Sequence, residues 1–254
     1  MKSLKQRLHE GEAVFGTFIS IGHSLTTEIV AQAGFDWLLI DLEHGLSTEA
    51  DVLTQLQAIA HTGVSAVIRT EGSARQRIHK VLDAGAHGIM CPHVRNADEA
   101  RAVVAAMRYA PHGVRGVAKM VRASGFGLHF EDYYHRTAAE LLGVVQIECT
   151  EVLDHLDEIA ATDGVDVLFI GPADLSMALG VFGQLDHPTF REAEERVIAA
   201  ARRHGKSVGF LLFDNEDFPK YYERGVRFFA SGTDALFLRN QALATARRLK
   251  ALAG

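Results

Sequence analysis

Four apolar runs in this chain end on ionisable side chains whose chemistries complement one another. They close as Ile40-Asp41-Leu42-Glu43-His44-Gly45, Ile68-Arg69-Thr70, Val145-Gln146-Ile147-Glu148 and Phe169-Ile170-Gly171-Pro172-Ala173-Asp174. Glu148 and Asp174 carry hard carboxylate oxygens suited to Mg2+ or Mn2+, with water and substrate completing the coordination. Asp41 and His44, on one turn, suit a carboxylate–imidazole pair in which Asp41 orients the ring and His44 moves a proton. Arg69 is a permanent cation that fits an enolate or carboxylate oxygen. The Gly171-Pro172-Ala173-Asp174 turn can aim the amides of Ala173 and Asp174 at a substrate carboxylate. Each residue also has a plainer reading: Glu148 as an ion-pair partner of Arg69, Asp174 as a helix cap, His44 as an exposed loop histidine. The coincidence of four such endings favours the joint reading.

These groups converge only if the runs are strands whose C-terminal ends share one rim. Runs rich in Val, Ile, Leu and Phe occur at Val14–Ser20, Trp37–Glu43, Ser65–Thr70, Gly88–Val94, Leu142–Glu148, Asp166–Pro172, Ser207–Phe213 and Arg227–Thr233. They are nearly continuous rather than alternating, as expected for strands buried on both faces of a parallel sheet. Amphipathic stretches such as Thr48–Ala60, Asn96–Arg108 and Pro188–His204 separate them and open with helix-start signals. Eight strand–helix units in 254 residues predict a single (β/α)8 TIM barrel, with catalytic groups at the C-terminal strand ends. The first run ends Ser20-Ile21-Gly22-His23-Ser24, without the glycine pattern of a dinucleotide-binding sheet. Tyr109–Arg136, rich in Gly and aromatic residues and holding Arg115 and Arg122, departs from the alternation. It reads as a partly ordered excursion touching the active site or a neighbouring subunit. The C-terminal helix is expected to serve oligomer contacts.

Composition narrows the partners. A formal charge of −6 without a basic block argues against nucleic acid or an anionic membrane surface as partner. Met1–Glu12 has no apolar stretch resembling a signal peptide, and the expected compartment is the cytoplasm. Cys91 and Cys149 fall in apolar runs and read as buried thiols. Of the lysines at 2, 5, 80, 119, 206, 220 and 250, none ends a strand, which removes the Schiff-base route to an enolate and leaves metal activation of the carbonyl.

At these residues the sequence resembles the HpcH/HpaI aldolase family of class II pyruvate aldolases. The likeness runs through Ala33-Gly34-Phe35-Asp36-Trp37-Leu38-Leu39-Ile40-Asp41, Glu43-His44, Arg69, Leu82-Asp83-Ala84-Gly85 and Asn96-Ala97-Asp98-Glu99-Ala100. It continues through Arg108-Tyr109, Gly113-Val114-Arg115-Gly116, Val145-Gln146-Ile147-Glu148 and Ile170-Gly171-Pro172-Ala173-Asp174-Leu175-Ser176. The resemblance implies ligation of Mg2+, Mn2+ or Co2+ by Glu148 and Asp174, proton transfer by a His44–Asp41 dyad, and stabilisation of a metal-bound enolate by Arg69. It implies that Gln146 and the turn Gly171, Pro172, Ala173 and Asp174 help hold pyruvate and water. It places the counterpart of Asp83 in a neighbouring subunit's active site, which requires a homo-oligomer; relatives form hexamers built as trimers of dimers. Leu42, Cys149 and the excursion after Gly116 depart from the family pattern. So does Phe210, counted with the substrate-binding residues, which is bulkier than the small or aliphatic residue expected there.

The resulting expectation is reversible cleavage of a 4-hydroxy-2-oxo acid to pyruvate, or hydroxypyruvate, and an aldehyde. Three alternatives remain open at this level. They are a CoA-ester lyase of the same superfamily, a sugar-phosphate isomerase or epimerase using Ser231-Gly232-Thr233 for phosphate, and a non-catalytic metabolite-binding barrel.

Overall fold

The computed structural model describes residues 2–253; the first and last residues, and the side chains of residues 137 and 138, lie outside the described part. Eight strands, β1 (Val14–Ile19), β2 (Trp37–Asp41), β3 (Ser65–Arg69), β4 (Gly88–Cys91), β5 (Leu142–Ile147), β6 (Val167–Ile170), β7 (Ser207–Leu212) and β8 (Val226–Thr233), close into a barrel. Each pairs in parallel with the next, and β8 returns to β1. Seven of the eight apolar runs overshoot their strands by one to three residues where the chain leaves the sheet, and the residues at and just past these strand ends hold the chemistry.

Alternation along each strand separates two cores. Val14, Phe18, Trp37, Leu39, Val67, Met90, Val144, Phe169 and Phe228 point into the barrel, while their neighbours Leu38, Ile40, Ile68, Ile89, Val145, Leu168 and Phe210 pack outward with the helices. The interior accepts its large rings because glycine stands opposite them. A Cβ on Gly16 would lie 2.2 Å from the Trp37 ring, and one on Gly209 would lie 2.4 Å from Phe169. The opposite end is closed by α1 (Leu4–His9), started by a Ser3/Gln6 capping box, whose Leu4 and Leu8 join the interior core.

The outer layer contains α2 (Ser24–Ala31), α3 (Glu49–Ala58), α4 (Arg75–Asp83), α5 (Ala97–Met107), α6 (Phe130–Glu140), α7 (Leu156–Ala161), α8 (Pro172–Ala178), α9 (Pro188–Arg203), α10 (Phe218–Glu223) and α11 (Asp234–Leu252). Part of the excursion after α5 is held on the far face of the barrel. Arg122 donates to the carbonyls of Ala84 (2.8 Å) and Leu56 (3.2 Å), at the C-terminal ends of α4 and α3. Those ends carry unpaired carbonyls and partial negative charge, so a guanidinium binds there, on the face opposite the rim. α11 is exposed along its length, with only Asp234 buried. Among the described residues no helix is long and apolar enough to cross a membrane.

Candidate active site

The inward alternation that carries Trp37 and Leu39 carries Asp41 next, and the one that carries Val67 carries Arg69 next. These two are register partners across β2 and β3. Their side chains form a two-pronged pair: Arg69 Nε donates to Asp41 Oδ1 at 2.9 Å and Nη2 donates to Oδ2 at 2.7 Å. Nη1 lies 3.1 Å from Glu43 Oε2, and the guanidinium sits 5.3 Å from the centre of the Phe18 ring. Burial opposes the charge on Arg69, but its hydrogen bonds to Asp41 and the charges of Asp41, Glu43 and Glu148 outweigh it and raise the guanidinium further. Asp41 Oδ1 also accepts from the backbone N–H groups of Glu43 (3.0 Å) and His44 (3.3 Å), so it builds the turn that follows β2.

Across the mouth, Gln146 and Glu148 continue the inward series Leu142, Val144. Glu148 is buried; Oε1 accepts from the His93 backbone N–H at 2.7 Å and Oε2 accepts from Gln146 Nε2 at 2.7 Å. Burial pushes its carboxyl up; the His93 N–H and ring hold it down in part, and the charges of Glu43 and Asp174 push it further up. Gln146 Oε1 is buried and has no hydrogen-bond partner among the described residues. Gly171 adjoins this pair closely, since a Cβ there would be 3.4 Å from Glu148. Pro172 occupies the first position of α8, and Asp174 is an exposed residue of that first turn. Among the described residues no three His, Cys, Asp or Glu converge as a cation cage. Yet a buried carboxylate with raised pKa, two further carboxylates nearby and an orphaned amide oxygen form a donor set with surplus negative charge. A hard divalent cation that keeps open positions for water and substrate fits it.

Two expected residues, His44 and Phe210, are placed differently from their sequence reading, whereas Asp83 lies away from this chain's own rim as its place in the sequence implies. The His44 ring is exposed and faces Glu43 (Nε2 to Oε2 3.7 Å), while only its backbone reaches Asp41, whose oxygens are taken by Arg69. Phe210, expected to line the substrate pocket, faces outward and stacks on Tyr221 of α10, centroids 4.0 Å apart; period two turns Gly209 and Leu211 inward instead. Asp83 ends α4 on the far face of the barrel, where Arg115 Nη2 donates to it at 2.6 Å and the guanidinium lies over Tyr109 and Tyr133. Glu43, Phe18 and Leu211 were not singled out beforehand. Phe18 and Leu211 follow from inward alternation, whereas Glu43 lies just past the strand, where alternation no longer applies.

The family model described as HpcH/HpaI aldolase/citrate lyase matches residues 15–241. The chain is 39% identical over 241 residues to a hydroxypyruvate/pyruvate aldolase of Paraburkholderia phytofirmans, covering 92% of each protein. It is 40% identical over 249 residues to a 4-hydroxy-2-oxo-heptane-1,7-dioate aldolase of Salmonella arizonae, covering 98% of this chain and 95% of that one. A crystal structure of an HpcH/HpaI aldolase/citrate lyase family protein from Burkholderia cenocepacia J2315 superposes with a TM-score of 0.92 at 37% identity, covering both chains fully. With the barrel closed and the Asp41–Arg69 and Gln146–Glu148 pairs facing each other across its mouth, the chain belongs to the HpcH/HpaI aldolase/citrate lyase family and is an enzyme of the aldolase type.

Proposed function

We propose that the protein is a divalent-metal-dependent aldolase that reversibly cleaves 4-hydroxy-2-oxo acids to pyruvate, or hydroxypyruvate, and an aldehyde. The observation that carries this reading is the orphaned Gln146 Oε1 beside buried Glu148, facing an arginine already fixed in place by Asp41. Glu148 and Asp174 would hold Mg2+, Mn2+ or Co2+. When bound, such an ion supplies electrophilic polarisation of the 2-oxo acid.

The chain's own groups divide the remaining work. Asp41 and Glu43 occupy part of the Arg69 donor fork and set its plane, leaving the remaining N–H groups for the oxygen that becomes anionic. Amides at the start of α8 receive the substrate carboxylate, and Gln146 Oε1 accepts from a bound water. In cleavage, His44, backed by Glu43 rather than Asp41, takes the proton of the C4 hydroxyl. The C3–C4 bond breaks, its electron pair passes into the C2–C3 enolate, and the aldehyde leaves. A proton returned to C3 then gives pyruvate. Synthesis runs the same steps backwards. Since the Asp41–Arg69 pair stands before any charge develops, little reorganisation is needed at the reacting oxygen.

A phosphate-binding isomerase is disfavoured at the end of β8. The amides of Ala235 and Leu236 are taken by Asp234 Oδ1 (2.9 Å) and Thr233 Oγ1 (3.0 Å), and the buried Asp234 carboxylate would repel phosphate. The proposal includes a homo-oligomer, with a hexamer built as a trimer of dimers expected. Its support is the exposed apolar set Leu238, Leu243, Leu249 and Leu252 on α11, with Met120, Phe126 and Leu128 on the excursion.

The test is exchange of pyruvate methyl protons in D2O, followed by NMR, after EDTA treatment and again with Mg2+, Mn2+ or Co2+. Exchange that returns only with metal, and is absent in Glu148→Gln, is expected. Folded protein that exchanges neither pyruvate nor hydroxypyruvate under any metal would overturn the reading.

A further inference from the structure

At the rim, both the backbone and the side chain of His93 are turned toward the carboxylates of the site. Its φ is +57°, in the left-handed region; Phe126 is the other non-glycine residue with positive φ among those described. A residue with a Cβ seldom adopts this conformation unless its surroundings demand it. The surroundings here are two carboxylates from different strands. The His93 N–H reaches Glu148 Oε1 at 2.7 Å and Nδ1 lies 3.3 Å from the same oxygen, while Nε2 lies 3.1 Å from Glu43 Oε1. The ring thus spans from the end of β5 to the turn after β2, and it remains open to the mouth, 69% exposed.

The span settles how Glu43 is turned. With Oε1 facing the His93 ring, the other oxygen, Oε2, faces Arg69 Nη1 at 3.1 Å and His44 Nε2 at 3.7 Å. Without the ring, the Arg69 Nη1 contact alone would orient the Glu43 carboxylate, whose last torsion is a broad well with little intrinsic preference. Arg69 would keep its Asp41 prongs, but His44 would lose a fixed carboxylate beside it. Glu148 would be less affected, because the His93 backbone N–H and Gln146 both remain.

We infer that His93 is a positioning residue for the aldol reaction, whose imidazole ties Glu148 to Glu43 and so orients the carboxylate serving His44 and Arg69. The inference rests on the aldolase reading and assigns His93 no contact with the reacting atoms. A histidine that merely fills the loop after β4 would share the geometry by coincidence, and its ring could be removed without effect on turnover.

The experiment compares His93→Gly and His93→Gln with the unaltered enzyme. Glycine keeps the N–H and tolerates the positive φ, so folding is preserved; glutamine restores a side-chain amide whose two N–H donors can reach both carboxylates. Mn2+ affinity is read by EPR on enzyme without substrate, and kcat and KM for cleavage are read separately. In His93→Gly, kcat should fall by about 10–100-fold, as for other groups that orient a site's carboxylates. KM and Mn2+ affinity should move by less than about threefold, because the substrate and ion contacts themselves persist. His93→Gln should recover part of kcat. Unchanged kcat in His93→Gly, loss of Mn2+ binding along with kcat, or a glutamine variant no better than glycine would each overturn the assignment. An unaltered enzyme that neither cleaves a 2-oxo acid nor exchanges pyruvate protons would overturn the aldolase reading first, before any variant is compared.

Discussion

Asp41 and Arg69 stand opposite each other in the register of β2 and β3, and their side chains close a buried two-pronged ion pair at 2.9 and 2.7 Å. The pair is both the anchor of the turn that carries Glu43 and His44 and the mount for the cation facing the substrate. Its two partners should therefore fail differently when altered.

Arg69→Lys keeps a charge but loses the fork, since an ammonium cannot span both Asp41 oxygens. Circular dichroism should stay unchanged while kcat/KM falls by about a hundredfold, near 3 kcal/mol, the usual loss for one preorganised donor. Asp41→Ala strands a buried guanidinium and should lower stability by about 3–5 kcal/mol in denaturant titrations. Equal stability losses in the two variants would contradict this division.

Glu148 carries a carboxyl raised by burial and by nearby negative charge. Because its raised pKa favours the protonated form, and the ion needs the carboxylate, each Mn2+ bound at mildly acidic pH must displace a proton. Mn2+ affinity measured by EPR should then rise with pH through the acidic range and level off once Glu148 is ionised. Glu148→Gln should bind Mn2+ far more weakly at every pH and remove that dependence.

Phe210 packs away from the mouth against Tyr221, whereas Leu211 points into it. Phe210→Ala should reduce stability by about 3–5 kcal/mol with KM unchanged, the ordinary result of emptying a packed aromatic site. Leu211→Ala should instead alter KM for the aldehyde in the synthetic direction. A melting curve and synthesis kinetics on both variants check the contrast.

α11 exposes Leu238 and Leu249 along a helix with little packing of its own. In a homo-oligomer, Leu238→Glu with Leu249→Glu should shift the mass seen by light scattering toward smaller species. An unaltered protein that runs as a monomer would remove the basis for this prediction.

Much of the architecture was legible in the residues alone. Each of the eight apolar runs matches a strand to within three residues at either end, because a parallel strand buried on both faces leaves an uninterrupted apolar record in the chain. The endings Asp41, Arg69, Gln146 and Glu148 gather at one rim because a closed parallel barrel sends all its strand ends to the same face. Alternation was legible too, and applied strictly it turns Phe210 outward and Leu211 inward. Pairings between strands were not legible. That Arg69 takes Asp41, leaving His44 to face Glu43, depends on register across the barrel, and so does the left-handed turn of His93. The place of Arg122, capping α3 and α4 on the far face, depends on where a long excursion finds unpaired carbonyls. The local pattern of residues determined which elements form and which face each side chain takes. Only the tertiary structure, by bringing distant charges within hydrogen-bonding range, decided which partners they keep.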